Sequence, residues 1–118
     1  MADLSTLDVL IVDDHEGMRA LLRKVLERAG VAAIREAGAG ADGLELLAQS
    51  PAHLILVDQN MPGMNGAEFV ARLRESGSSA RIVMITGDVR ANAAGADVAL
   101  LKPVSPRELL AAIEAVMR

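Results

Sequence analysis

The chain contains no cysteine, no tryptophan and no tyrosine, and a single phenylalanine, Phe69. The first absence excludes disulfides, thiolate metal sites and thiol catalysis. The shortage of aromatics leaves no platform on which nucleic-acid bases could stack. With 16 acidic against 12 basic side chains, a formal charge of −4, there is no basic footprint for a phosphate backbone either. Nucleic acid is therefore not an expected partner. No apolar run approaches the roughly 18 residues needed to cross a bilayer, and the N-terminus carries Asp3 rather than a basic stretch followed by an apolar one. Membrane insertion is not expected, and a cytoplasmic location is. Repeats, low-complexity tracts and long Pro/Gly/Ser linkers are also missing, so residues 1–118 are expected to form a single domain with no effector domain attached.

What is present is a 52% hydrophobic sequence arranged in short blocks. Val9-Leu10-Ile11-Val12, Leu54-Ile55-Leu56-Val57, Ile82-Val83-Met84-Ile85 and Val98-Ala99-Leu100-Leu101 have strand length, and their unbroken hydrophobicity predicts strands covered on both faces. Val31-Ala32-Ala33-Ile34 is weaker and suits an edge strand. Helical periodicity fills the gaps. Met18, Leu21, Leu22, Val25, Leu26 and Ala29 share one face before Gly30; Leu44, Leu47 and Ala48 precede Pro51; Phe69, Val70 and Leu73 mark a third helix. Ser105, Pro106 and Glu108 open the last as cap, first helical residue and capping-box partner, followed by Leu109, Ile113 and Val116 on one side. Alternating strands and helices predict an α/β fold, a parallel sheet with helices on both faces. One connection is short: the ten residues from Gly87 to Ala96 have room for at most a turn or two of helix.

In such a sheet, ligands bind beyond the carboxyl ends of the strands. Asp13-Asp14, Asp58, Thr86 and Lys102-Pro103 each follow or end a strand, so all fall on one rim. Singly, each residue reads as a turn former, a cap or a solvated end. Together they are costly: carboxylates about 5 Å apart repel by on the order of 3 kcal/mol per pair at an effective dielectric near 20. A divalent cation compensates, and an all-oxygen donor set favours Mg²⁺, which commonly also takes a phosphate oxygen. A carboxylate can attack a phosphoryl donor, and Asp58 stands alone at the end of the central strand. Lys102 and Thr86 would close around the phosphoryl oxygens. His15, His53, the six methionines and Arg72, Arg74 and Arg81 read as helix start, strand edge, gap fillers and solvated charge.

The segments Leu10-Ile11-Val12-Asp13-Asp14, Leu56 to Gly66 (LVDQNMPGMNG), Ile85-Thr86-Gly87 and Leu101-Lys102-Pro103 resemble, in order, the motifs of the receiver domains of two-component response regulators, single-domain chemotaxis regulators included. The resemblance spans nearly the whole chain. It implies a flavodoxin-like, doubly wound, five-stranded parallel sheet of order 2-1-3-4-5, here with a shortened or missing fourth helix. It further implies that Asp58 is the phosphoacceptor. Asp13 and Asp14 would hold Mg²⁺ together with Asp58 and the backbone carbonyl of Asn60. Thr86 would be the switch hydroxyl and Lys102 the phosphoryl-binding lysine, its bond to Pro103 cis. Asn65 stands where the family usually has aspartate and caps a helix about as well. The family's switch aromatic, three positions before the lysine, is here Ala99, and a methyl group cannot act as a rotating gate.

Two other chemistries fit less well. A flavin binder would need a Ser/Thr/Gly phosphate loop where Asp13-Asp14-His15-Glu16 stands, and a haloacid dehalogenase-type phosphatase would need a second aspartate where Asn60 stands. A receiver fold serving as an interaction module without phosphorylation remains a third. The expected function is thus phosphoryl acceptance from a sensor histidine kinase or histidine phosphotransfer protein, with the chain assisting its own phosphorylation and dephosphorylation rather than turning over an external substrate. The signal would pass to a downstream protein, from a monomer or a phosphorylation-dependent dimer.

Overall fold

Unbroken apolar strands demand cover on both sides, and among the described residues two pairs of helices supply it. A computed structural model describes residues 3–88 and 95–118. The elements in chain order are a short 3-10 turn (Leu4–Thr6), β1 (Asp8–Val12), α1 (Glu16–Arg28), β2 (Ala33–Ala37), α2 (Gly40–Gln49), β3 (Leu54–Asp58), α3 (Gly66–Glu75), β4 (Arg81–Thr86), β5 (Val98–Leu101) and α4 (Pro106–Met117). The five strands form one parallel sheet in the order β2-β1-β3-β4-β5, as expected. The expectation of a turn or two of helix within 87–96 falls mainly on residues 89–94, outside the described residues.

Alternate side chains of the central strands go to opposite faces. Leu10, Val12, Ile55, Val57, Ile82 and Met84 meet Phe69, Val70, Leu73 and Leu47 of α2 and α3. Val9, Ile11, Leu54, Leu56, Val83 and Ile85 meet Leu22, Leu26, Leu109 and Ile113 of α1 and α4. Phe69, the one aromatic, is fully buried. The caps read from sequence are in place: Asn65 and Ser105 each accept from the backbone N–H three residues on (2.8 and 3.1 Å), and Glu68 and Glu108 return the bond.

Three expectations need correction. The second strand is Ala33–Ala37 rather than 31–34. Val31 is instead spent on closing α1: Gly30 adopts φ 98°, its N–H reaches Glu27 O, and Val31 N–H reaches Leu26 O at 3.0 Å, a Schellman closure with a buried hydrophobic residue at its end. The true strand tolerates Arg35 and Glu36 because it is an edge, where Arg35 pairs with Asp8 and Glu36 with Arg19 and Arg23. Among the described residues, the last strand is likewise not covered on both faces. Val98 and Leu100 are half-buried against the α1/α4 side, whereas Ala99 and Leu101 are exposed on the other.

Finally, Arg74 is not solvated charge. Its guanidinium donates to the carbonyls of Ala80 (2.7 Å), Gly95 (3.0 Å) and Ser78 (3.2 Å) and contacts Asp97, tying the end of α3 to the segments flanking β4 and β5. Arg74→Met is expected to lower the unfolding free energy by about 1–3 kcal/mol, since the part-buried carbonyls of Ser78 and Ala80 lose their donor. Urea denaturation measures it, and an unchanged midpoint would contradict the assignment.

Candidate functional site

Strand register decides which residues meet. Val12 is aligned with Val57, Asp58 with Ile85, and Thr86 with Leu101, so the carboxyl ends of β1, β3, β4 and β5 form one rim. Asp13 follows β1, Asp58 ends β3, Thr86 ends β4 and Lys102 follows β5. Backbone bonds weld the rim: Gln59 N–H to Ile85 O at 2.9 Å, Lys102 N–H to Thr86 O at 2.7 Å, and Asp13 N–H to Ala37 O at 3.1 Å. The Lys102–Pro103 peptide is cis, as expected.

At the centre, one donor atom from each of Asp13, Asp14, His15 and Asp58 lies within 4.8 Å of all the others. Lys102 Nζ is 2.8 Å from Asp58 Oδ1, an ion pair between a half-buried ammonium and a carboxylate only 1% exposed. Asp58 Oδ2 is buried without a hydrogen-bond partner among the described residues, and the buried Asp14 Oδ1 has only the His15 ring beside it, Nδ1 at 3.2 Å. Burial pushes the Asp58 carboxyl above its ordinary range, and the charges of Asp13 and Asp14 push the same way. Lys102, by hydrogen bonding and charge, pulls it partly back. Buried carboxylate oxygens without donors, crowded with like charges, fit a bound divalent cation.

Thr86 is buried, and its Oγ1 accepts the Asp88 N–H at 3.1 Å. Asn60 lies two residues beyond Asp58 in the connection to α3, its side chain exposed. The structure therefore brings Asp13, Asp14, Asp58 and Lys102 into contact distance and puts Thr86 on the same rim.

A family model for the response regulator receiver domain matches residues 9–114. The chain belongs to that family. Its receiver relatives include the nitrate/nitrite response regulator NarL of Escherichia coli, 37% identical over 96% of this chain and 56% of that protein. A probable chemotaxis protein CheY of Rhizobium etli is 36% identical over 98% of this chain and 96% of that one. The chain thus spans little more than half the length of the NarL relative. Among solved structures, chemotaxis protein CheY4 of Vibrio cholerae superposes with a TM-score of 0.85 at 30% identity, covering 93% of this chain and 98% of that chain. Response regulator TrrA of Thermotoga maritima, solved in complex with Mg²⁺ and BeF, gives a TM-score of 0.86 at 25% identity over 94% of this chain and 99% of that chain.

Several residues that shape this receiver site escaped the sequence reading. Arg19 NH1 donates to the Asp13 carbonyl at 2.6 Å while its Nε reaches Glu36, so α1 and β2 both brace the first acidic residue. Arg–carboxylate pairing across elements leaves no local sequence signal. His15, read as a helix start, does precede α1, but its ring makes no cap bond. Instead its Nδ1 lies 3.3 Å from Asp13 Oδ1 and 3.2 Å from Asp14 Oδ1. Its position directly after the acidic pair was the available clue.

Gly66 is the third. A β-carbon there would stand 2.8 Å from Asp58 O and 2.9 Å from Gln59 Cα, so only glycine lets α3 start directly against the backbone of Asp58. Gln59 adds a tie, its side-chain oxygen accepting the Ala67 N–H at 2.9 Å. Gly66→Ala is expected to displace Asp58 and slow any reaction there by about a hundredfold, the effect of misplacing a reacting group by about 1 Å. Comparing phosphorylation rates with the wild type checks this, and an equal rate would show that the close approach is not needed.

Proposed function

We propose that this receiver accepts a phosphoryl group on Asp58 from a histidine kinase or histidine phosphotransfer protein, in a Mg²⁺-dependent reaction, and signals by altered protein–protein contacts. The observation that carries the reading is the Asp58 carboxylate, buried to 1% exposure, held by Lys102 at 2.8 Å and ringed by Asp13 and Asp14. A carboxylate kept in that setting is costly unless it has work to do.

In the reaction, an Asp58 carboxylate oxygen forms a bond to phosphorus as the bond from phosphorus to the donor histidine nitrogen breaks. The product is an acyl phosphate on Asp58, and the leaving imidazole takes up a proton from water. Mg²⁺, held by Asp13, Asp14, Asp58 and the Asn60 carbonyl, would neutralise charge on the phosphoryl oxygens. Lys102 turns from the carboxylate to a phosphoryl oxygen, and the Thr86 hydroxyl donates to another. The burial of Asp58 excludes bulk water from the nucleophile. Because new charge of roughly −2 arrives on this rim, Thr86 and Lys102 are drawn inward, and these two residues, joined by the Lys102 N–H to Thr86 O bond, bound the segment from β4 to β5. Ala99 and Leu101, exposed on β5, lie on that segment's outer face.

Incubation with acetyl phosphate and Mg²⁺ tests the reading directly. Intact mass is expected to rise by one phosphoryl group, and a chain that stays unmodified, with Mg²⁺ shown to be bound, would overturn it. Lys102→Ala is expected to slow modification by about 10²–10³-fold, the usual effect of losing one charge-stabilising donor. Its Mg²⁺ affinity, by calorimetry, is expected not to weaken, because Lys102 competes with the cation for Asp58 Oδ1.

A further inference from the structure

His15 is unused by the reaction just described. It occupies the residue before α1, a position where Ser, Thr, Asp or Asn would cap the helix, and it makes no capping bond. Its side chain is 67% exposed, so packing does not force the ring onto the carboxylates. It nevertheless sits 3.2–3.3 Å from one oxygen of each of Asp13 and Asp14, within hydrogen-bond reach, while its backbone N–H donates to the same Asp13 Oδ1 at 2.9 Å.

Those separations match a coordination shell. Ligands bound at about 2.1 Å are separated by about 3.0 Å when adjacent in an octahedron and about 3.4 Å in a tetrahedron. The full set of four donors, spread over at most 4.8 Å, exceeds the about 4.2 Å of trans octahedral ligands by a margin that small side-chain rotations close. Asp58 Oδ2, buried and without a hydrogen-bond partner among the described residues, belongs to a carboxylate that contributes to the same four-donor cluster, an observation independent of the histidine. An imidazole nitrogen is a poor ligand for Mg²⁺ and a good one for borderline transition cations such as Ni²⁺ and Zn²⁺.

We propose that His15 Nδ1 is a nitrogen ligand that lets this acidic pocket bind a transition divalent cation of the nickel or zinc class in competition with Mg²⁺. The inference rests on the pocket being the receiver's cation site. The ring would bind as the neutral tautomer carrying its proton on Nε2, with Asp13, Asp14 and Asp58 supplying oxygen. Two metals competing for one pocket would make phosphoryl acceptance responsive to transition-metal supply.

The test is calorimetric titration of tag-free protein with NiCl₂ and, separately, with MgCl₂, for wild type, His15→Ala and His53→Gln. Even outer-shell partners of a metal change its affinity by about 10–100-fold, so loss of a direct ligand is expected to weaken Ni²⁺ binding by at least about tenfold. Mg²⁺ affinity is expected to be the same in wild type and His15→Ala, and His53→Gln is expected to bind Ni²⁺ as the wild type does. Equal Ni²⁺ affinity in wild type and His15→Ala would overturn the inference, as would parallel loss of both metals or a loss specific to His53→Gln. Failure of the wild type to bind Mg²⁺ at all would instead sink the cation-site reading beneath it. Zn²⁺ added to ¹⁵N-labelled protein is expected to shift the His15 Nδ1 resonance. A shift confined to Nε2 would contradict the assigned ligand atom.

Discussion

Asp58→Asn protein treated with acetyl phosphate and Mg²⁺ is expected to keep its unmodified mass over a period in which the wild type is fully phosphorylated. An amide oxygen is a far weaker nucleophile than a carboxylate. Asp13 and Asp14 are not expected to substitute for Asp58, because in the proposed site they hold the cation. Undiminished incorporation would move the acceptor elsewhere. The same substitution carries a stability signature of opposite sign to most buried changes. The Asp58 carboxyl titrates above its ordinary range in the folded chain, chiefly through burial. The folded state therefore binds this proton more tightly than the unfolded state, which gives stability that is full below the ordinary carboxylate range and is lost as pH rises through the raised value. At neutral pH the ionised group is a net cost, so Asp58→Asn is expected to raise the melting temperature of metal-free protein. The difference is expected to shrink on acidification. A variant that melts lower at neutral pH would contradict the electrostatic account.

Asp13→Asn combined with Asp14→Asn is expected to weaken Mg²⁺ binding by on the order of a hundredfold or more, since even outer-shell partners are worth about 10–100-fold. Removing two negative charges within 4.8 Å of Asp58 also removes the repulsion that a cation would offset. Phosphorylation is expected to fall with the metal, while the metal-free protein stays folded. Asp13 N–H and carbonyl, which anchor the rim to Ala37 and Arg19, belong to the backbone and survive the substitution. Calorimetry decides the matter: an unchanged Mg²⁺ affinity would place the metal elsewhere, with Asp58 retained as acceptor.

Legibility followed distance along the chain. The caps at Asn65 and Ser105 and the stop at Gly30 were readable because each lies within a few residues of what it satisfies. The start of β2 was misplaced because Val31 is apolar for a helix-closing reason that mimics a strand signal. The exposed face of β5 was misjudged since an apolar run states what can be covered, not what is. Arg74 carries no local sign of its role, because the carbonyls it reaches lie beyond the end of its helix, at Ser78 and Ala80, and 21 residues away at Gly95.

The order of strands and helices, the carboxylates, threonine and lysine at the strand ends, and the family resemblance were determined by the amino-acid sequence alone. Apolar blocks, caps and short motifs are local properties of a polypeptide. Only the tertiary structure decided that Lys102 lies 2.8 Å from Asp58, that His15 faces the acidic pair, and that Gly66 admits α3 against the backbone of Asp58. The Lys102 and Gly66 contacts are set by the register of parallel strands and by which helix covers which face, neither of which is encoded in the spacing of residues along any one segment, whereas the His15 contact is local but depends on the ring's orientation.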